Sequence, residues 1–353
     1  MLGKLWQLLS HDVGIDLGTV NTLVLVKGKG IVIREPTVVA LHKKSRQILA
    51  IGTEAKRMLG RTPAAIEAIR PLRNGVISDF DTCEAMLRYF IHKVHETPKS
   101  SGFHFPKIPK PRVVVGIPSG VTEVERRAVQ DACLVAGARE AYLIEEPMAA
   151  AIGAKLPVED PEGVMIVDIG GGTTEIAVIS LGGMVVNRSL RVAGDELDEA
   201  IVNYMRTRYG MLIGEKTAED IKMEIGSAYQ NVKDNGATVV RGRDIASGLP
   251  KSLKITAPEI REALTPVISQ IISSIKEVLE ETPPELLSDV VERGIFLAGG
   301  GALIKGIDKR IAEETKIPVY IAEDPLTTVV RGCGEVLENL DLLSKVRVTG
   351  GLR

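Results

Sequence analysis

The sequence predicts an α/β fold built from two related halves, and three observations point there. Strand-like and helix-like segments alternate through most of the 353 residues, which argues for parallel sheets covered by helices on both faces. A glycine-rich hairpin signature occurs twice, once in each half of the chain. Glycine clusters also fall at the carboxyl ends of strand-like runs, where sheets of this kind bind ligands.

The first hairpin is Gly14-Ile15-Asp16-Leu17-Gly18-Thr19, followed by the apolar run Leu23-Val24-Leu25-Val26. Gly14 and Gly18 lack Cβ atoms, so the turn can bring backbone N–H groups against phosphate oxygens. Thr19 and Asn21 add side-chain donors, with Val20 between them, and Asp16 is placed to hold magnesium, which takes few carboxylates and keeps waters. A plain β-hairpin with an Asp in its turn remains the alternative.

Further along, Arg112 to Ile117 reads as a buried strand, and Thr122 caps the helix that follows, with a Glu near the fourth helical position. A short strand at Ala141 to Ile144 leads into Glu145-Glu146-Pro147 and a helix running to Ala154. Acids at a helix N-terminus suit the macrodipole; Glu146 could instead polarise a water for in-line attack on a γ-phosphate. The second hairpin, Val167-Asp168-Ile169-Gly170-Gly171-Gly172-Thr173-Thr174, runs into Ile176-Ala177-Val178-Ile179. Three consecutive glycines would weaken a purely structural hairpin. Close approach of a ligand to the backbone explains them, with Thr173 and Thr174 hydroxyls at the same point and Asp168 as a second magnesium ligand.

In Thr217-Ala218-Glu219-Asp220-Ile221-Lys222 the threonine reads as a helix cap, and Glu219 and Lys222 share one face. They form either a helical salt bridge or a seat in which Glu219 meets ribose hydroxyls and the Lys222 stem flanks adenine. Glu292 to Ala298 reads as a strand ending in Gly299-Gly300-Gly301-Ala302, where a flat ring can approach the backbone. No GxGxxG follows the first strand and no GxxxxGK[ST] occurs, which argues against dinucleotide-dependent dehydrogenases and P-loop NTPases. Thr97 to Pro111 reads as an exposed loop, Gln230 to Pro250 as an excursion within a small subdomain, and the basic tail after Leu343 as flexible.

Composition excludes other classes. Net charge is −2 and 3 % of residues are aromatic, so neither a basic nucleic-acid footprint nor base-stacking platforms are expected. Cys83, Cys133 and Cys333 are odd in number and lack a CxxC pair, so buried reduced cysteines are expected rather than disulfides or zinc. His92 and His95 could share a helix face, without a metal-ligand pattern around them. No apolar run reaches the ~18–20 residues of a membrane span, and no secretory signal is read at the N-terminus. A cytoplasmic location is the expectation.

These motifs resemble the actin–Hsp70–hexokinase ATPase superfamily along nearly the whole chain. Gly194-Asp195-Glu196-Leu197-Asp198 belongs to the matching set. Within the superfamily, GIDLGTVNTLV, MLGRTP, IRPLRNGVISDF, EEPMAAAIGA, VDIGGGTTE, TPPEL and RGIFLAGGGAL are similar to the MreB family of bacterial actin homologues. Val20 and Thr37-Val38 are small departures. The resemblance implies an actin-like (ribonuclease H-like) fold of duplicated domains, two large and two small subdomains, with ATP and Mg2+ in the cleft between the large ones. Its implied boundaries are 11–36, 75–157 and 328–353 for subdomain IA, 37–74 for IB, 158–191 and 257–327 for IIA, and 192–256 for IIB.

By the same resemblance, Gly18, Thr19, Val20, Asn21, Gly170, Gly171, Gly172, Thr173, Gly194, Glu219, Asp220, Ile221, Lys222, Gly299, Gly300, Gly301 and Ala302 contact nucleotide. Asp16 and Asp168 hold the metal, and Glu146 and Thr173 hold the attacking water. It also implies slow ATP hydrolysis coupled to polymerisation into paired antiparallel protofilaments. The resemblance implies as well that the filaments lie on the inner face of the cell membrane with RodZ and the cell-wall elongation machinery, and maintain rod shape. A small-molecule kinase of the same superfamily is the alternative, although no separate base for a sugar hydroxyl stands out. An Hsp70-type chaperone would need a substrate-binding domain after the ATPase, whereas the chain stops at Arg353.

Two segments suggest the membrane contact. In residues 1–10, Leu2, Leu5, Trp6 and Leu9 share one face of a helical wheel while Lys4 and Gln7 point away, which suits an interfacial helix. Packing against the outside of the first subdomain is the other reading. Phe103 and Phe105, two of the five phenylalanines, sit in the Pro- and Lys-rich loop. Each buried large apolar side chain contributes roughly 1.5–3 kcal/mol. A helix this short is marginal alone, so many subunits in a filament would bind by avidity.

Overall fold

A computed structural model describes residues 10–96, 110–230 and 236–348. The chain divides into two compact units, one of Met1–Glu159, Leu181–Gly183 and Thr327–Arg353, the other of Asp160–Ser180 and Met184–Leu326. The segments with Leu2, Leu5, Trp6, Leu9, Phe103 and Phe105 lie outside the described residues.

The first unit opens with β1 (Val13–Leu17), β2 (Asn21–Val26), β3 (Gly30–Pro36), β4 (Val39–His42), β5 (Ile48–Ile51), α1 (Thr53–Met58), β6 (Ile66–Ile69), β7 (Leu72–Arg73) and β8 (Val76–Ile77). It continues with α2 (Phe80–His95), β9 (Arg112–Ile117), α3 (Glu123–Val135), β10 (Glu140–Glu145) and α4 (Glu146–Gly153). Its main sheet has the order β10-β9-β1-β2-β3. β1 runs antiparallel to β2 and parallel to β9, and β10 runs parallel to β9. Val13, Ile15, Val113 and Val115 are fully buried and pack with Met86, Leu87 and Phe90 of α2 in one apolar core. The expected Thr122 cap forms a capping box: Glu125 N donates to Thr122 Oγ1 at 3.3 Å and Thr122 N to Glu125 Oε2 at 2.7 Å.

The second unit holds β11 (Val164–Ile169), β12 (Thr174–Ser180), β13 (Gly183–Leu190), α5 (Gly194–Tyr209), β14 (Met211–Leu212), α6 (Glu215–Ile225), β15 (Ala237–Asp244) and β16 (Pro250–Thr256). After these come α7 (Ala257–Glu281), α8 (Pro284–Arg293), β17 (Ile295–Ala298), α9 (Ile307–Thr315) and β18 (Val319–Ile321). Its sheet has the order β13-β12-β11-β17-β18, with β11 antiparallel to β12 and parallel to β17, and β17 parallel to β18. Both sheets therefore share one plan: an antiparallel hairpin strand pair, then two parallel strands added beside the first hairpin strand. The sheets are mixed, not parallel as the strand–helix alternation suggested. Periodicity reports burial and length but not strand direction.

The chain then returns to the first unit with α10 (Thr328–Glu338) and α11 (Leu340–Val346). A Cβ on Gly153 would collide with Thr328 O, and one on Gly332 with Ala149 O. Those two glycines thus let the backbones of α4 and α10 touch. Just past α11 the described chain pairs with β10: Val348 N donates to Leu143 O at 3.0 Å, covering the edge of that strand; the rest of the tail expected to be flexible lies outside the described residues.

Other local expectations shift. The strand expected from Glu292 begins at Ile295, because Glu292 and Arg293 complete α8. Thr217 lies inside α6, whose N-cap is Gly214. His95 is buried while His92 is exposed. His95 Nε2 takes the His11 backbone N–H at 2.9 Å, so it is the unprotonated nitrogen, and Nδ1 donates to Ile91 O at 2.7 Å. His95 is thus a satisfied core histidine. The three cysteines are free and buried; burial pushes the Cys83 and Cys333 thiols up and that of Cys133 to about 12.

Candidate nucleotide site

In the first unit, three strand ends gather the chemistry. Asp16 pairs in register with Gly116 of β9, and Gly116 with Ile144 of β10. One residue beyond β10 comes Glu146, the first residue of α4 and 9 % exposed. Gly116 leaves the room: a Cβ there would stand 3.5 Å from Glu146 Cγ and 2.9 Å from Val329 Cγ1. Both carboxylates act on one point, since the Cys333 thiol is pushed up first by burial and then by the charges of Asp16 and Glu146. The structure thus brings together Asp16 and Glu146, which the sequence placed far apart. Burial alone pushes the Asp16 carboxyl up to about 7. A desolvated carboxylate of this kind gains most from a cation.

The turn after β1 is braced by side chains. Thr37 Oγ1 donates to Gly18 O at 2.7 Å and lies 2.8 Å from Thr22 Oγ1, whose proton must therefore point to Thr37. Thr37 N donates to Val20 O at 2.9 Å. Thr19 is buried, and its Oγ1 accepts from Gly75 N at 2.9 Å, leaving its own proton to donate. Asn21 is exposed at the start of β2. A Cβ on Gly18 would meet Asn21 O at 2.7 Å, so the tight turn itself demands this glycine.

In the second unit, Asp168 of β11 pairs in register with Glu175 of β12 and Ala298 of β17. Asp168 is 6 % exposed. The turn closes through Gly170 N to Thr173 O at 2.9 Å. The start of α5 leans on it: Gly194 N donates to Gly170 O at 3.2 Å and Asp195 N to Gly171 O at 2.7 Å. A Cβ on Gly194 would stand 3.3 Å from Gly171 Cα, so neighbouring backbone accounts for part of the glycine content assigned to ligand approach. Gly172 and Thr173 are buried in the turn. The Thr174 hydroxyl does not join them, because it donates to Val192 O at 2.7 Å.

The third glycine cluster forms a 3-10 turn, Gly300–Leu303. Gly299 has φ +77, and a Cβ on it would collide with Asp168 Oδ1 and Ile169 O; one on Gly301 would collide with Ile169. Those two glycines seat the turn against β11. Gly300 is exposed, while Gly301 and Ala302 are buried, so Gly300 offers the open backbone for a ring. On α6 the four expected contacts spread around the helix. Ile221 is in the core, and Asp220 pairs with Lys216 at 3.2 Å on the outer surface. Neither side chain shares the face of Glu219 and Lys222. Nor is Lys222 held by Glu219: its Nζ lies 2.8 Å from Asp198 Oδ1 and donates to Gly194 O at 2.8 Å.

Sequence reasoning missed Thr37, Gly116 and Asp198. Thr37 showed only as a departure from the family wording, Gly116 as a glycine inside a valine run, and Asp198 only as the end of the matching GDELD motif, with no role read for it. No group of three or more His, Cys, Asp or Glu side chains gathers for a metal among the described residues. Magnesium needs none, because it binds through one or two carboxylates plus phosphates and water. Among the described residues no helix is long and apolar enough to cross a membrane.

The MreB/Mbl protein family model matches residues 10–345. The cell shape-determining protein MreB of Escherichia coli (strain K12) is 53 % identical over 346 residues, 97 % of each chain. The cell shape-determining protein Mbl of Bacillus subtilis (strain 168) is 47 % identical over 340 residues, 96 % of this chain and 99 % of its own. Among solved structures, MreB5 of Spiroplasma citri bound to ADP superposes with TM-score 0.87 at 39 % identity, covering 94 % of this chain and 97 % of the other. The MamK double helical filament superposes with TM-score 0.76 at 22 % identity, over 94 % and 99 %. The fold is therefore actin-like, and the chain belongs to the MreB/Mbl family.

Proposed function

We infer that this chain is an ATP-dependent cytoskeletal filament protein that binds ATP with Mg2+, hydrolyses it slowly and couples turnover to polymerisation. The observation that carries the reading is the repeated hairpin: Asp16 and Asp168 stand at matching positions of two sheets with one strand plan. Its relatives support the same reading, since MreB5 of Spiroplasma citri has been solved with ADP and with AMPPNP.

In this reading the turn amides after Gly18 and Gly170 would take phosphate oxygens, and Asp16 and Asp168 would hold magnesium. The ion would neutralise charge on the β- and γ-phosphates. Glu146 is nearly buried at the start of α4, where it would polarise the attacking water and hold it in line. The Thr173 hydroxyl holds the same water from the second turn. Gly300 and the Glu219–Lys222 face receive adenosine. Catalysis here is positioning more than proton transfer, which suits a slow ATPase. The filaments are paired antiparallel protofilaments on the inner membrane face, attached through Leu2, Leu5, Trp6, Leu9, Phe103 and Phe105. RodZ and the elongation complex are the partners, and rod shape is the outcome. These finer points rest on the sequence resemblance.

The test is sedimentation with phosphate release, run with ATP and Mg2+, with and without anionic liposomes. Wild type should pellet and release phosphate only with both ligands. Glu146→Ala should still bind ATP and pellet, with release slowed about tenfold or more. Removing residues 1–9 together with Phe103→Ser and Phe105→Ser should abolish liposome pelleting and leave ATP binding intact. Unchanged release in Glu146→Ala removes that residue from the mechanism. Turnover that rises only with an added sugar would replace the filament reading with the kinase one.

A further inference from the structure

The Lys222 ammonium is committed inside the protein. Two oxygens of α5 lie 2.8 Å away: Asp198 Oδ1, its ion-pair partner, and Gly194 O, to which it donates. The two side chains are 14 % and 12 % exposed. Oδ1 accepts no directed hydrogen bond, so the pair is held by charge at short range. Burial pushes the Asp198 carboxyl up to about 6 against the pull of Lys222, with Glu219 and Asp195 adding to the push. A cation fixed in this way is not free for a phosphate. What Lys222 can still present is its four-carbon stem.

We propose that Asp198 is a positioning residue for the nucleobase: it pins the Lys222 ammonium to α5, so that the Lys222 stem forms one wall of the base seat. The proposal rests on the nucleotide reading above and assigns the base end of that site. Gly194, whose carbonyl accepts from the ammonium, is also the residue whose N–H rests on Gly170 O. Base wall and phosphate turn therefore share one anchor, the first turn of α5. The anchor on the turn is backbone and survives a change at Asp198, whereas the anchor on the wall does not. With a neutral partner the ammonium would sit desolvated against a carbonyl, and the flexible lysine would swing out to water.

The two ends can be separated by ligand choice. MgATP and inorganic tripolyphosphate share the phosphate contacts, and only ATP reads the base seat. Asp198→Asn should weaken MgATP binding by about tenfold, the scale of a small displacement in a bound ligand, and leave tripolyphosphate affinity unchanged. Asp198→Leu with Lys222→Met replaces the buried pair by apolar groups of similar volume, an exchange that proteins often tolerate. The double variant should recover ATP affinity, because the methionine stem fills the wall without an ammonium to hold. Equal loss for both ligands in Asp198→Asn, or no loss for ATP, would overturn the proposal, as would a double variant that melts like wild type and still binds ATP poorly. A wild-type chain that binds neither ligand would instead overturn the nucleotide reading and this one with it.

Discussion

The two hairpins share a strand plan but fix their turns by different means. In the first, side chains supply two of the three braces: Thr37 Oγ1 holds Gly18 O and Thr19 Oγ1 receives Gly75 N, beside one backbone bond from Thr37 N to Val20 O. In the second, backbone holds backbone: Gly170 N to Thr173 O, Gly194 N to Gly170 O and Asp195 N to Gly171 O. In the first turn the tight point is Gly18 alone, whose Cβ would meet Asn21 O. Backbone bracing brings chains to within a methyl group of each other, so glycine is demanded repeatedly. Glycine density in a turn therefore measures how closely backbone approaches, whether the visitor is a ligand or another part of the same chain.

The comparison predicts its largest effect where backbone closeness meets a carboxylate. Gly299 combines φ +77 with a Cβ position already filled by Asp168 Oδ1 and Ile169 O. Gly299→Ala should cost about 3 kcal/mol or more, from left-handed backbone strain plus overpacking, and should displace Asp168. Thermal melting should fall, and magnesium-dependent ATP binding should be lost. In the first unit, Gly116 pairs with Asp16 and has no left-handed φ, and its nearest neighbour is a valine methyl at 2.9 Å. Gly116→Ala should cost only about 1–2 kcal/mol. Equal costs at the two glycines would mean that the halves are braced alike.

The difference between the hairpins also explains what could be read without a structure. β1, β9, β10 and β11 were legible as apolar runs closed by glycine or proline, and the Asp–glycine pairs at strand ends marked the site. Thr37 was not legible as a brace, because its partner Gly18 lies 19 residues away and a threonine beside a proline has no local signature. The Lys222–Asp198 pair joins two helices, whereas helical spacing rules see only the pair with Glu219. The pairing of Val348 was missed for the same reason: it finds Leu143 across the fold, and basic, glycine-ended composition cannot show that pairing.

A middle-sized effect isolates the side-chain brace. Thr37→Val keeps the shape but removes the donor to Gly18 O and the acceptor for Thr22. The loss should be about 1–2 kcal/mol, the scale of a buried bond left unmade. ATP affinity should fall several-fold, because the Gly18 turn loses its support. Thr174→Val removes a similar bond, to Val192 O, in the unit whose turn is held by backbone. Its stability cost should match, with ATP affinity nearly unchanged. Stability melts and ATP titrations on both variants check this. If Thr174→Val weakens ATP binding as much as Thr37→Val, the second turn depends on side chains after all.

The smallest effect is expected on α6, where the backbone-braced half reaches toward the base. Asp220 points outward to Lys216, and both side chains are more than half exposed. An exposed i,i+4 ion pair of this kind is worth a few tenths of a kcal/mol. Asp220→Asn should therefore shift stability by less than about 0.5 kcal/mol and leave ATP affinity alone. Glu219→Gln, one residue and about 100° away on the Lys222 side, should weaken ATP while sparing tripolyphosphate, since a ribose hydroxyl would lose a charged acceptor. Calorimetric titration of the two variants side by side decides the matter. A tenfold loss in Asp220→Asn would place Asp220 back against the ligand, and would mean that the α6 face toward α5 is not the one that reads the nucleotide.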